Sequence, residues 1–299
     1  MNLGEGGMLM FSGSIPALVT PFTAGRVDEA AFRDLVDWQI EEGSSALVPC
    51  GTTGEVATLT AEEHRQVVRL CIEQARGRVP VIAGCGSYST AASMQMMKVA
   101  EELGAAAALV VVPYYNKPSQ AGIAAHFRAL AEASDLPIIV YNVPGRTVAD
   151  ISVDTLAEVS RLPTVVGIKD ATGNLARVTA QRLACGEQFC QLSGNDDMAL
   201  GFNAMGGVGC ISVTANVAPR LCAEFQKATL ERDWNRALEL QDRLFPLHVA
   251  MFADASPGPA KYALGKVRPG FPQDLRLPLT PPNDSARRAV DAALVTAGL

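Results

Sequence analysis

The chain has 299 residues, of which 48% are hydrophobic and only 6% aromatic, with a net charge of −6 and a pI of about 5.2. That length suits one large α/β domain or two modest ones, and the dominance of Ala, Val, Leu and Gly suits helices packed on a parallel sheet. The acidic balance, with no basic run, argues against nucleic acid or an anionic membrane as a partner, and no apolar stretch reaches membrane-spanning length.

Residues 1–10 are Gly-rich and are expected to form a flexible N-terminal extension; they carry no basic segment or cleavage motif of a signal peptide. Strand-like apolar runs then follow at 14–22, 46–50, 79–85, 107–114, 137–143, 165–170, 189–194 and 207–214. Helical spacing of apolar residues fills the gaps, at 29–42, 61–76, 90–103, 120–133, 153–161, 174–184 and 197–205. Asp28, Thr60, Ser119 and Ser152 stand where N-caps belong. This alternation predicts a (β/α)8 TIM barrel over residues 11–232. An open doubly wound sheet would carry a glycine-rich phosphate loop after its first strand, and Thr20-Pro21-Phe22 stands there instead. From about Pro219 the chain reads as helices alone, at 221–230, 234–251, 259–267 and 285–297, so residues 233–299 are expected to form a small all-helical C-terminal domain.

The seven cysteines include no C-x-x-C pair, and several sit in apolar runs. They read as reduced core residues of a cytoplasmic protein. His64, His126 and His248 are scattered without metal-ligand spacing. No P-loop, dinucleotide fingerprint or G-x-S-x-G elbow is present; Gly84-Cys85-Gly86-Ser87-Tyr88-Ser89 lacks the third glycine. Neither a metal nor a separate cofactor is expected.

Barrel chemistry collects at the C-terminal ends of the strands. Gly51-Thr52-Thr53-Gly54-Glu55 follows the second, Tyr114-Tyr115-Asn116 the fourth, and Tyr141 with Arg146 the fifth. Lys169 ends the sixth, and Gly194 with Asp196 and Asp197 ends the seventh. Lys169 is one of six lysines, and it alone closes an apolar strand. Lysine is seldom buried, and a desolvated, neutral amine can attack a carbonyl. The Gly/Thr loop offers N–H groups to a carboxylate. Taken singly, each has an ordinary explanation: a capped turn, a core tyrosine, a surface arginine, a salt-bridged lysine. Together they suit a 2-oxo acid held as a lysine imine, which converts to an enamine that attacks an aldehyde or runs in reverse. Asp196 and Asp197 are expected to cap the next helix. Lys261 is expected to be structural.

These motifs, with Gly167-Ile168-Lys169-Asp170-Ala171-Thr172-Gly173-Asn174 and Ser212-Val213-Thr214-Ala215-Asn216, resemble the dihydrodipicolinate synthase family over about residues 10 to 299. The resemblance implies condensation of pyruvate with L-aspartate 4-semialdehyde to 4-hydroxy-tetrahydrodipicolinate, in lysine and diaminopimelate biosynthesis. It implies Lys169 as the Schiff-base residue, and Tyr141, Thr52 and Tyr115 as a proton relay. Gly51, Thr53 and Gly194 would bind substrate, Arg146 would orient the semialdehyde carboxylate, and Ile211 would present a backbone carbonyl. A homotetramer built as a dimer of dimers is implied, with Tyr115 reaching into a neighbouring subunit. The related N-acetylneuraminate and 2-keto-3-deoxygluconate aldolases share the lysine but generally lack the arginine, so Arg146 favours the synthase. A non-catalytic 2-oxo acid binder on the same fold is the other alternative. At the position of the lysine effector's carboxylate partner stands Ala92, at an amide position Tyr88 and at a histidine position Ala61, with His64 and Tyr114 remaining. Loss of a charge-assisted contact to the effector implies weak or absent inhibition by lysine.

Overall fold

The computed structural model describes residues 11–299, so the expected extension at 1–10 lies outside the described residues. Among the described residues nine strands are formed: β1 Gly13–Pro16, β2 Phe22–Thr23, β3 Arg26–Val27, β4 Ile82–Gly84, β5 Ala107–Val111, β6 Ile138–Asn142, β7 Val165–Asp170, β8 Cys190–Ser193 and β9 Gly209–Ser212. Seven of them make one parallel sheet in the order β1-β9-β8-β7-β6-β5-β4.

The eighth position belongs to the segment expected at 46–50. It pairs only through the parallel bridges Ala17↔Val48 and Leu47↔Val81. Backbone bonds nevertheless run on both sides, from Leu18 N–H to the Val48 carbonyl (2.9 Å) and from Ile82 N–H to the Leu47 carbonyl (2.8 Å), closing the TIM barrel. Prolines at 16, 49 and 80 lack the N–H that a continuous ladder needs there, which breaks the pairing into single bridges.

The helices are α1 Glu29–Glu41, α2 Ala61–Ala75, α3 Thr90–Leu103, α4 Gln120–Ala133, α5 Pro144–Thr147, α6 Val153–Val159, α7 Ala176–Cys185, α8 Ala199–Ala204, α9 Pro219–Leu230, α10 Trp234–Ala250, α11 Gly258–Val267 and α12 Asp284–Ala297. Asp28, Thr60, Ser119 and Ser152 accept N-cap bonds as expected, and Thr60 with Glu63 forms a capping box. The small β2–β3 hairpin was not anticipated. Its central residues, Ala24 and Gly25, have φ of 51° and 76°, as a two-residue hairpin loop demands, but Ala-Gly is a weak signal for one.

Two apolar layers form the core. Ile15, Val48, Leu109, Ile139, Leu192 and Ile211 fill the barrel interior, while Ala108, Val110, Ile138, Val140 and Ile168 face the helices. Alternation along each strand decides which side a polar residue occupies. Tyr141 follows Ile139 inward, and Lys169, next to outward Ile168, points inward as well. All seven cysteines are free thiols, six of them buried. Among the described residues no helix is long and apolar enough to cross a membrane.

Candidate active site

Tyr141 on β6 and Lys169 on β7 are register partners across the parallel ladder. Both are buried, Lys169 at 6% exposure, and its Nζ lies 4.3 Å from the centroid of the Tyr141 ring. The ring face thus lies against the end of the lysine side chain inside an otherwise apolar barrel. It also puts a phenol beside the amine, where a proton must move if the amine is to react.

The space for this lysine depends on Gly194. A Cβ at that position would lie 3.1 Å from Lys169 Cε and 2.7 Å from the Ala171 Cβ, tighter than side chains tolerate.

One residue further along, the register pair Asn142–Asp170 faces the opposite way. Asp170 is buried and accepts bonds from Thr172 N–H (2.8 Å), Thr172 Oγ1 (2.6 Å), Arg177 Nε (3.1 Å) and Gln181 Nε2 (2.7 Å). Asn142 donates to Asp150 (2.7 Å), whose carboxylate also pairs with Arg177 at 3.6 Å, and accepts from Ile151 N–H (3.3 Å). Arg177 further donates to the Ile151 carbonyl (2.8 Å). The outward pair is thus tied by one guanidinium, which fixes the strand ends that aim Tyr141 and Lys169. Sequence reasoning passed over this network because its members are spread over separate elements.

The loop 51–55 lies at the end of the barrel's bridging segment. Gly54 N–H and Glu55 N–H turn back to the Gly51 (3.0 Å) and Thr52 (3.1 Å) carbonyls. Thr53 is buried, Thr52 exposed. Thr20 Oγ1 donates to the Gly54 carbonyl at 2.7 Å, and Glu55 takes a left-handed conformation with φ of 58°. Ile211 is fully buried on β9 and pairs with Ile15. The structure therefore sets Gly51, Thr52, Thr53, Tyr141, Lys169, Gly194 and Ile211 at or just beyond the C-terminal ends of barrel strands. A cavity of about 630 Å³ lined by Arg182, Asn203 and Gly206 lies before β9, at the other end of the barrel, and contains none of them.

Tyr115 and Arg146 stand apart. Tyr115 is 90% exposed and left-handed, with φ of 69°. Arg146 is exposed on α5, directly after β6, and pairs with no carboxylate among the described residues. Tyr114 packs edge-on against Tyr88, with centroids 5.5 Å apart, and burial raises its pKa. Ala61 and Ala92 are exposed. His64 is not available to a surface ligand. It is buried and its Nε2 donates to the Gly84 carbonyl at 2.7 Å, while desolvation lowers its pKa and keeps the ring neutral.

The expected capping role of Asp196 is corrected. Its carboxylate makes no cap bond; it accepts from Ser212 Oγ, from Val213 N–H (2.9 Å) and from Thr214 N–H (3.3 Å), pinning the turn that follows Ile211. Those two N–H groups are free because a 3₁₀ turn, Thr214–Asn216, begins there. A carboxylate buried by tertiary structure satisfies them better than water would.

A second lysine is more deeply buried than the first. Lys261 on α11 and Glu55 both have fully inaccessible side chains and meet at 2.5 Å. Burial lowers the Lys261 pKa, and Glu55 opposes that shift. Among the described residues no group of three or more His, Cys, Asp or Glu is placed to hold a metal ion.

A family model described as the dihydrodipicolinate synthetase family matches residues 10–297. The 4-hydroxy-tetrahydrodipicolinate synthase of Rhizorhabdus wittichii is 67% identical over 290 residues, covering 97% of this chain and 100% of that protein. The enzyme of the same name from Zymomonas mobilis is 65% identical over 290 residues, with the same coverage. Among solved structures, the chloride-inhibited dihydrodipicolinate synthase from Acinetobacter baumannii, complexed with pyruvate, matches with a TM-score of 0.93 and 43% identity, over 96% of this chain and 99% of that one. The synthase from Cyanidioschyzon merolae with lysine bound matches with a TM-score of 0.94 and 37% identity, over 98% and 100%. A match that runs nearly end to end, on the same barrel, has one meaning: the chain belongs to the dihydrodipicolinate synthetase family and is an enzyme of the lyase class.

Proposed function

We propose that this enzyme condenses pyruvate with L-aspartate 4-semialdehyde to 4-hydroxy-tetrahydrodipicolinate through an imine on Lys169. The observation that carries the reading is the buried Lys169 amine over the Tyr141 ring, at the reactive end of the barrel. The names of its relatives support the choice of substrates.

In this reading the neutral Lys169 amine adds to the pyruvate ketone, and water leaves as the imine forms. The positive imine nitrogen draws electrons from the methyl carbon, which loses a proton and becomes an enamine. The enamine carbon attacks the semialdehyde carbonyl, forming the new C–C bond. The amine of the semialdehyde then displaces Lys169 at the imine carbon and closes the ring, so the enzyme returns unchanged and no separate cofactor enters. Thr52, Tyr141 and a partner subunit's Tyr115 would pass the protons. Loop 51–54 would hold the pyruvate carboxylate on Thr53 and backbone N–H groups. Gly194 would leave room for the lysine stem, and the Ile211 carbonyl would face the substrate. Arg146, paired with no carboxylate among the described residues, would take that of the semialdehyde.

The 90% exposure of Tyr115 supports a neighbouring subunit at this surface, in keeping with a homotetramer built as a dimer of dimers. Residues 11–232 are assigned to the catalytic unit and 233–299 to a helical unit on it, and seven free thiols favour the cytoplasm.

Borohydride reduction in the presence of pyruvate tests the imine. A mass gain located on Lys169 is expected, and a Lys169→Ala variant that still labels would refute it. Release of pyruvate from N-acetylneuraminate, without condensation of the semialdehyde, would move the enzyme to the sugar-acid aldolases. Weak or absent inhibition by lysine follows from Ala92 and Ala61, which offer an ammonium or carboxylate no polar partner; half-inhibition at sub-millimolar lysine would sink it.

A further inference from the structure

The mechanism leaves unused the most deeply buried charge pair of the described residues, Lys261 with Glu55. Two charges with no solvent contact are costly to bury, and an apolar pair of similar volume is often as stable or more so. Stability alone therefore explains the pair poorly, and its location suggests another role. Glu55 closes the loop 51–55 and holds a left-handed φ of 58° at that point.

Both carboxylate oxygens of Glu55 are engaged by the C-terminal part of the chain. Oε1 accepts from Lys261 Nζ at 2.5 Å, and Oε2 accepts from Arg276 N–H at 3.1 Å. Lys261 Nζ also donates to the Asp274 carbonyl (2.7 Å) and lies 4.4 Å from the centroid of the Phe22 ring. The Arg276 guanidinium stacks on the same ring at 4.3 Å and donates to the Thr58 carbonyl (3.0 Å) and to Glu63 (2.6 Å). The anchors of the Glu55 carboxylate thus come from α11 and from residues 274–276.

We propose that Lys261 is a positioning residue: through Glu55 it holds the backbone of loop 51–55 in the shape that receives the substrate carboxylate, so the C-terminal helices set affinity for the 2-oxo acid. The proposal rests on the reading of that loop as the carboxylate seat. Hydrogen bonds to a carboxylate weaken with distance and misalignment, so a displaced seat binds less tightly, and the two bonds that hold Glu55 are directional, as apolar contacts are not.

The test separates position from stability. In the double variant Glu55→Gln/Lys261→Met no unpaired charge is left buried, and the introduced amide oxygen can still accept from Arg276 N–H. The expected result is a thermal midpoint within a few degrees of the parent, with KM for pyruvate raised about tenfold or more and kcat changed less than threefold. A midpoint and a KM both at the parent's values would overturn the proposal, because the loop would then keep its shape without the pair. Lys261→Arg, which keeps the charge and lengthens the reach, is expected to raise KM by a smaller factor, and it decides the matter where the double variant does not fold. Failure of both to fold also overturns the proposal, since the residue would then serve the whole fold. Borohydride trapping on the parent enzyme runs alongside. If the parent does not trap pyruvate, the lysine-imine reading itself is lost; if it does and the variants keep the parent KM, only the role of Lys261 is lost.

Discussion

Lys169 and Tyr141 sit opposite each other on adjacent parallel strands, with the amine 4.3 Å from the ring centroid, so neither can shift along its strand without the other. A one-residue slip of either strand would turn its own member of the pair out of the barrel. The spacing of the amine and the phenol is a property of the sheet register.

Gly194 gives the sharpest steric prediction. Gly194→Ala would push its methyl against Lys169 Cε and Ala171. We expect kcat/KM to fall about 100-fold, with a loss of stability of about 1–3 kcal/mol. Activity within threefold of the parent would show that the lysine stem does not need this space.

Arg177 is predicted to matter through the strand ends. Arg177→Leu leaves the buried Asp170 carboxylate without its counter-ion, a loss of about 3 kcal/mol in urea unfolding. Arg177→Leu/Asp170→Leu is expected to lose less than the sum of the two single changes. Simple additivity would mean that the two side chains are not coupled.

Lys169, Tyr141 and the loop 51–55 were legible in the sequence because strand period and barrel topology alone carry them to one end of the fold. The segment 165–170 was read with its true limits for the same reason: an unbroken apolar run has few other ways to fold. Lys261 was read as structural, and its partner stayed hidden, because a pair 206 residues apart leaves no local pattern. Asp196 was misread for a related reason. An acid before a helix has the look of a cap, but here the buried N–H groups of Val213 and Thr214 compete for it and win.

Tyr115 should act across a subunit boundary. Tyr115→Phe is expected to leave chain stability within about 0.5 kcal/mol, because the side chain is exposed. Activity should fall about 100-fold or more if the hydroxyl carries a proton. Mixing Tyr115→Phe with Lys169→Ala subunits should restore activity, since one site of each mixed dimer would hold both native residues. No recovery after verified subunit exchange would place Tyr115 outside the relay.

His126 predicts a pH dependence of stability. Burial pushes its imidazole down to about 4, while Nδ1 meets Thr90 Oγ1 at 3.0 Å. The unfolded chain, with a pKa near 6.5, binds the proton first, so stability is full above pH ~6.5 and falls as pH drops toward 4, by up to roughly 3 kcal/mol. His64, also lowered by burial, adds in the same direction. His126→Gln, which keeps a partner for Thr90 and cannot titrate, should flatten the unfolding midpoint over this range. An unchanged slope would assign the effect elsewhere.

The bond between Glu55 and Lys261 also has a direction in time. During synthesis the loop leaves the ribosome 206 residues before its counter-ion does. Through that interval the strands can begin to pair, but Glu55 has nothing to neutralise it and no reason to enter the core. A chain that stops before Lys261 therefore leaves the Glu55 carboxylate without this partner. The helix that carries Lys261 thus completes a contact that no chain ending before it can make.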